Sequence, residues 1–169
     1  MPPNPVTARL TLGPWRDEDI DPYFSMVYER DARAAAAPRN GRPTRDELAE
    51  EIPVRLRELN ETGIALLAVR LDESFIGYAG LTAGKASLDE PEIAYELLRE
   101  FHGFGYATEA ARAVVTAAQA TGRTRLWASV RTWNEASFRV LAKAGFVGTE
   151  RITRDEFGET VWWTRNLIA

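Results

Sequence analysis

The sequence predicts an α+β fold, a mixed sheet carrying helices. Three observations predict it. Two helix-like stretches stand early, after one short alternating segment. A hairpin pattern follows, two apolar runs separated by Asp72-Glu73-Ser74. The second half then alternates strand and helix, the order that places some strands parallel to their neighbours.

Each element follows from local chemistry. Thr7 to Leu12 (T-A-R-L-T-L) alternates and reads as a first strand, ended by Pro14-Trp15. Asp17 to Arg30 reads as a helix entered through acidic residues. Ala32 to Pro43 contains A-A-A-A-P-R-N-G-R-P and reads as a breaker-rich loop. Thr44 opens a second helix, with Glu47 completing a capping box. That helix runs to about Leu59, and Pro53 is expected to kink or interrupt it. Ile64 to Leu71 and Phe75 to Leu81 form the hairpin. Glu92 to Leu98 is the next strand, then a helix from Tyr106 to Ala120, a strand from Leu126 to Val130 and a helix from Asn134 to Ala144. Phe146 to Thr153 and Thr160 to Ile168 make a final pair across Asp155 to Glu159. The pattern gives six to seven strands and about four helices, with no internal repeat. Its 169 residues fit one domain, 1–169.

Composition narrows the function classes. A hydrophobic content of 45% and a charged content of 27% are those of a soluble globular protein. No apolar run approaches membrane-spanning length, and the N-terminus M-P-P-N-P-V lacks a signal-peptide core. A cytoplasmic protein with no membrane partner is expected. With no Cys there is no thiol nucleophile, no disulfide framework and no cysteine metal site. The formal charge of −4 argues against a general nucleic-acid binder, which needs clustered cations.

The most informative stretch is Glu92 to Thr116. A strand is followed by two glycines one residue apart and at once by an alanine-rich helix. That order exposes main-chain N–H groups at a helix N-terminus, a ready anion site. A P-loop requires Gly-Lys-Ser/Thr, but Gly105 is followed by Tyr106 and Ala107. A dinucleotide turn requires a third glycine where Thr108 stands, and an acidic residue about 20 positions on, where G-R-T-R-L-W has none. The dinucleotide reading is therefore weak; a third use of such a loop is a pyrophosphate held by main-chain N–H groups, which needs small residues, a helix start and no metal.

His102-Gly103-Phe104-Gly105-Tyr106-Ala107 resembles the Gln/Arg-x-x-Gly-x-Gly/Ala signature of the GNAT superfamily, the acyl-CoA-dependent N-acyltransferases. His102 replaces the usual Gln or Arg. Tyr106-Ala107-Thr108-Glu109-Ala110 resembles the branch containing the ribosomal-protein N-terminal (serine/alanine) acetyltransferases. A second segment strengthens the likeness. Asn134 is a good N-cap, Phe138, Leu141 and Ala142 share one apolar face, and Gly145-Phe146 closes the helix. In the same branch this pattern is Asn-x-x-Ser, a short helix, then Gly-Phe.

The resemblance implies a mostly antiparallel, splayed sheet and N-acetyl transfer from acetyl-CoA to a primary amine by direct attack. The amine would be a protein N-terminus or a small molecule. Gly103 to Thr108 would take the pyrophosphate, with His102 and Phe104 in the same loop. Tyr95, Glu96 and Leu97 would supply main-chain groups to the acyl carbonyl. Ser137 would face the thioester sulfur, and Asn134 would hydrogen-bond the acyl donor. No metal is implied; a homodimer is common in the family.

Two positions depart from another sub-branch. Its thiolate-protonating Tyr falls at Leu141 and its Glu base at Ser129. The departures motivate an alternative, a non-catalytic acyl-CoA-binding or sensor module. Glu92 and Glu96 are the candidate bases read from the chain, because they alternate onto one strand face with Ala94 between. Arg139 and Lys143 lie one helical turn apart and could meet a phosphate. Glu109 sits in a helix first turn, where the dipole favours it. Of Trp162 and Trp163, alternation sends one ring inward and one outward, where it could line an acceptor cleft. Ala34 to Pro43 is a candidate acceptor lid by analogy.

Overall fold

In a computed structural model of the chain, residues 5–30, 32–35 and 43–168 are described. Strand β1 is Leu10–Gly13. It begins later than the alternation suggests, because Thr7 turns the chain back on itself: its N–H donates to Leu10 O at 2.9 Å, and Leu10 N donates to its hydroxyl at 2.9 Å. A 3-10 turn at Asp17–Asp19 leads into α1, Ile20–Tyr28. The stretch expected to be all loop opens instead with a one-turn helix, α2, Ala32–Ala35, which its alanines favour. The remainder of that segment, 36–42, lies outside the described residues, and with it most of the expected lid.

Helix α3 is Arg45–Thr62. Thr44 caps it, accepting from Glu47 N while the Glu47 carboxylate reaches back to Thr44 N at 2.7 Å. The helix runs unbroken through Pro53, contrary to the expected interruption, and stops at Gly63, whose φ of 68° is left-handed. Strands β2, Leu66–Leu71, and β3, Ser74–Thr82, form the expected hairpin across Asp72 and Glu73. Both turn residues have positive φ, the geometry that matches the strand twist in a two-residue turn. Strand β4 is Glu92–Leu97, α4 Tyr106–Gln119, β5 Arg125–Arg131 and α5 Glu135–Lys143. The last hairpin is β6, Val147–Asp155, with β7, Gly158–Asn166.

The seven strands run in the order β1-β2-β3-β4-β5-β7-β6. Every neighbouring pair is antiparallel except β4 and β5. The α1 and α3 helices cover one face, over a cluster that includes Trp15, Tyr23, Val27, Leu48, Ala68 and Phe75. On the other face α4 and α5 pack Ala110, Val114, Ala118 and Leu141 onto Leu67, Ile76, Ile93 and Leu126. On the α1 side, Asp19 and Arg70 form an ion pair with both side chains 2% exposed. Among the described residues no helix is long and apolar enough to cross a membrane.

The N-terminal segment is pinned to the start of α4. Glu109 accepts from Thr7 Oγ1 at 2.6 Å, from Arg9 N at 2.9 Å and from Arg9 Nε at 2.7 Å. The Arg9 guanidinium also lies over the Tyr106 ring, 4.5 Å from its centroid. Burial pushes the Glu109 carboxyl up, but these hydrogen bonds and the Arg9 charge outweigh it and hold it below the ordinary carboxylate range. A depressed value in the fold means stability that is complete above the unfolded value of about 4.3 and is lost as pH falls through the depressed one. Glu109→Gln should therefore cost about 1 kcal/mol at neutral pH, lower Tm by about 2–4 °C and lose that acid-limb dependence. Thermal unfolding of both proteins between pH 3 and 7 checks this. Leu126→Ala, at a site with no exposed side-chain surface, should cost about 2–5 kcal/mol by denaturant titration.

Candidate active site

The site begins where two parallel strands part. Between β4 and β5 only Glu92 and Trp127 pair, with Trp127 N donating to Pro91 O at 3.0 Å. Beyond that bridge the strands diverge. On its other edge β4 stays paired with β3 as far as Leu97. Leu98 N donates to Ile76 O at 2.9 Å, so alternation along the ladder turns the Glu96 main chain toward β3. The N–H groups of Tyr95 and Leu97 then face the gap. Of the three residues expected to offer main-chain groups, Tyr95 and Leu97 turn their N–H groups toward the gap, while Glu96 turns its own toward β3.

At the end of β4 a 3-10 turn, Arg99–Phe101, leads to the glycine loop. The His102 ring Nε2 lies 2.9 Å from Leu97 O and donates to it, tying the loop to the strand. Gly103 and Gly105 have φ of 85° and 83°, left-handed values that a side chain strains to adopt. A Cβ at Gly103 would meet nothing within 4 Å, so the loop leaves open space over its backbone. Gly105 is the N-cap of α4, and its carbonyl accepts from Glu109 N at 3.1 Å. The N–H groups of Tyr106, Ala107 and Thr108 precede that first helical bond and have no intrahelical acceptor. Phe104 projects outward, 61% exposed, and its carbonyl accepts from Arg9 Nη1 at 3.1 Å. Residues 103–108 thus form an open loop that ends in unpaired main-chain donors at a positive helix end, an arrangement suited to an anion.

Helix α5 closes the gap from the other side. Asn134 caps it, its Oδ1 accepting from Ser137 N at 3.2 Å. Ser137 does not cap its own helix; among the described residues its hydroxyl makes no hydrogen bond. Tyr95 crosses the gap and donates its hydroxyl to Ser137 O at 3.2 Å. Burial pushes the Tyr95 phenol up to about 12, so at neutral pH it remains a donor.

Two clefts meet at this point. One, of about 510 Å3, is bounded by the glycine loop, Tyr95, Asn134, Ser137 and Val140. The other, of about 700 Å3, opens on the α1 side among Glu92, Glu96, Ser129, Arg131 and Trp133. Tyr95, Glu96, Asn134 and Ser137 line both. A further groove of about 770 Å3 follows the outer side of α4 past Arg9, Thr108 and Arg112, without reaching Tyr95 or Ser137.

The two candidate carboxylates occupy different surroundings. Glu96 is held by Arg30 through two bonds of 2.7 Å and by the Tyr78 hydroxyl at 3.0 Å. Burial opposes the Arg30 charge, but the Glu96 hydrogen bonds and charge dominate and keep the guanidinium protonated. Burial also pushes the Tyr78 phenol well up. Glu92 is 6% exposed and accepts from Ser129 Oγ and from Lys85 N, each at 2.5 Å. Arg30 and Tyr78 had no signal in the sequence, since they lie 66 and 18 residues from Glu96. Leu141, where the other sub-branch has Tyr, is fully buried. Trp162 is buried and Trp163 stacks on Phe138 at 5.6 Å, so neither ring lines the second cleft. Arg139 pairs with Glu135 at 3.6 Å on an exposed face. Among the described residues no cluster of three His, Cys, Asp or Glu side chains could hold a metal.

A splayed sheet edge, main-chain donors at a helix start and a serine across the gap thus meet at one place. Comparison with known proteins assigns the family. Residues 9–147 match the model of the acetyltransferase (GNAT) domain. The chain therefore belongs to the GNAT acetyltransferase family and is an acetyl-CoA-dependent acetyltransferase. No curated protein matches the sequence. Many solved structures share the fold. An acetyltransferase from Agrobacterium tumefaciens strain C58 is 24% identical over 98% of this chain and 95% of its own, with a TM-score of 0.76. RimL, a ribosomal L7/L12 α-N-protein acetyltransferase solved in complex with coenzyme A, is 15% identical over 96% of each chain, with a TM-score of 0.81. The microcin C7 self-immunity acetyltransferase MccE, solved with acetyl-CoA and AMP, is 12% identical over 95% of this chain and 93% of its own, with a TM-score of 0.78.

Replacing Arg30 by Met leaves Glu96 half-buried beside a neutral neighbour. It should cost about 1–3 kcal/mol, and Arg30→Lys should recover only part, because an ammonium cannot reproduce the two-bond fork. Thermal unfolding of the three proteins measures the difference.

Proposed function

We propose that the protein transfers an acetyl group from acetyl-CoA to a primary amine, a protein N-terminal α-amine or a small-molecule amine, by direct attack in a ternary complex. The observation that carries this is the pair of clefts meeting at Tyr95 and Ser137, one under the donor loop and one on the α1 side. A donor in the first and an acceptor in the second bring the reacting atoms together across the gap. That RimL was solved with coenzyme A and MccE with acetyl-CoA supports the same reading.

Each part of the chemistry has a residue suited to it. The main-chain N–H groups of Gly103 to Thr108 hold the pyrophosphate, and the amide nitrogen of Asn134 remains available to the donor. As the amine attacks the carbonyl carbon, the C–N bond forms and charge develops on oxygen. The gap-facing N–H groups of Tyr95 and Leu97 stabilise that charge. When the C–S bond breaks, the Ser137 hydroxyl hydrogen-bonds the departing thiolate. Glu92, open to the second cleft, receives the amine's proton. Glu96 is already engaged by Arg30 and Tyr78, and it shapes the acceptor cleft instead.

Isothermal titration should detect acetyl-CoA binding without added metal, and a thiol-release screen across peptides and small amines should find an acceptor. Binding without thiol release for any amine would leave an acyl-CoA-binding module. Ser137→Ala should lower kcat by about 10-fold or more, within the range of positioned proton transfer, with acetyl-CoA affinity nearly unchanged. Unchanged turnover would remove Ser137 from the mechanism.

A further inference from the structure

Glu92 is a buried carboxylate, 6% exposed, that accepts two hydrogen bonds and, among the described residues, makes no ion pair. The charged groups around it are engaged with one another. From the β3–β4 loop Lys85 offers Glu92 only its N–H, while its ammonium lies 3.9 Å from Asp155. From β5 Arg131 pairs with Asp155 at 2.8 Å, and along β4 Glu96 pairs with Arg30 at 2.7 Å. A buried anion left without a cation is costly unless something else supplies one. The loop is fitted to this carboxylate. Gly84 has φ of 52°, and a Cβ there would stand 2.5 Å from Glu92 Oε1. With Oε1 held by the loop, Oε2 meets the Ser129 hydroxyl at 2.5 Å. Ser129 lies on β5 two residues past the last bridge to β4, and it lines the second cleft with Glu92 and Ser137.

We propose that Ser129 is a catalytic residue, the proton relay between the acceptor amine and Glu92. This rests on the acetyl-transfer reading above. The acceptor enters the second cleft as an ammonium, a cation for the carboxylate that makes no ion pair among the described residues. Ser129 Oγ takes one N–H proton through its lone pair while its own hydroxyl proton passes to Glu92 Oε2. The amine is left neutral, serine is regenerated and Glu92 becomes a neutral carboxyl. The amine then attacks, and its second proton leaves with the thiolate as the C–S bond breaks. Glu92 returns its proton to water in the open cleft. The balance is one ammonium and one thioester giving one amide, one thiol and one proton in solution.

The test uses thiol release from acetyl-CoA with a Ser-initiated peptide and, in parallel, spermidine, between pH 6.5 and 9.5, for wild type and Ser129→Ala, Ser129→Thr and Glu92→Gln. An α-amine with a pKa of about 7.7–8.0 is increasingly neutral across this window and needs the relay progressively less. Ser129→Ala should lose about 10-fold or more in kcat at pH 7 and less than about threefold at pH 9.5 with the peptide, with acetyl-CoA affinity by titration unchanged. Ser129→Thr should restore most of the rate. Ser129→Ala/Glu92→Gln should be no slower than Glu92→Gln alone, since both remove one path. An undiminished rate in Ser129→Ala, or a loss equal at every pH with no rescue by Thr, overturns the relay. Wild type that releases no thiol with any amine overturns the acetyl-transfer reading, and the relay with it.

Discussion

Everything at this site depends on two parallel strands that stop pairing. In a continuous sheet the N–H groups of Tyr95 and Leu97 would be spent on β5, as those of Glu96 are on β3. After the Glu92–Trp127 bridge they have no strand partner. An unpaired main chain is normally a liability inside a protein. Here it is tolerated because the gap opens to two clefts, with Tyr95 and α5 bridging it at Ser137 O. The same divergence leaves room for the glycine loop at the end of β4 and for Ser137 opposite it. The loop is held by the His102 ring on Leu97 O and, from behind, by Arg9 on Phe104 O and Glu109.

The two acidic residues on β4 illustrate how neighbours decide the fate of identical groups. Both project to the α1 side. Glu96 meets Arg30 from the end of α1 and Tyr78 from β3, so its charge is balanced within the protein. Glu92 accepts from two neutral donors, Ser129 Oγ and Lys85 N, and among the described residues it makes no ion pair. One carboxylate is tied to a guanidinium and a phenol, and the other to a serine hydroxyl and a main-chain N–H at the wall of the second cleft. Strand alternation placed them together; only tertiary contacts separated their roles.

Much of this was legible in the chain. Alternation and helical periodicity located all seven strands and the four longer helices, because those patterns report burial directly. The glycine loop and the Asn134 cap were legible because each requires a particular residue at a particular place. Pro53 does not interrupt α3, which continues through it to Thr62. The start of β1 was set by Thr7 turning back to Leu10, which alternation does not encode. At the site, Ser137 was singled out by the resemblance that the Asn134-x-x-Ser137 pattern carries, not by periodicity. The Arg30–Glu96 pair and the Ser129–Glu92 contact were not, because they join side chains on different elements, 66 and 37 residues apart.

The central claim is that one acyl donor spans the glycine loop and the unpaired edge of β4. Amide hydrogen exchange with and without acetyl-CoA measures it directly. The account predicts added protection at two separate places, residues 103–108 and the amides of Tyr95 and Leu97, with Glu96 little changed because β3 already holds it. Protection confined to the loop, or found along the outer groove of α4 instead, would contradict it.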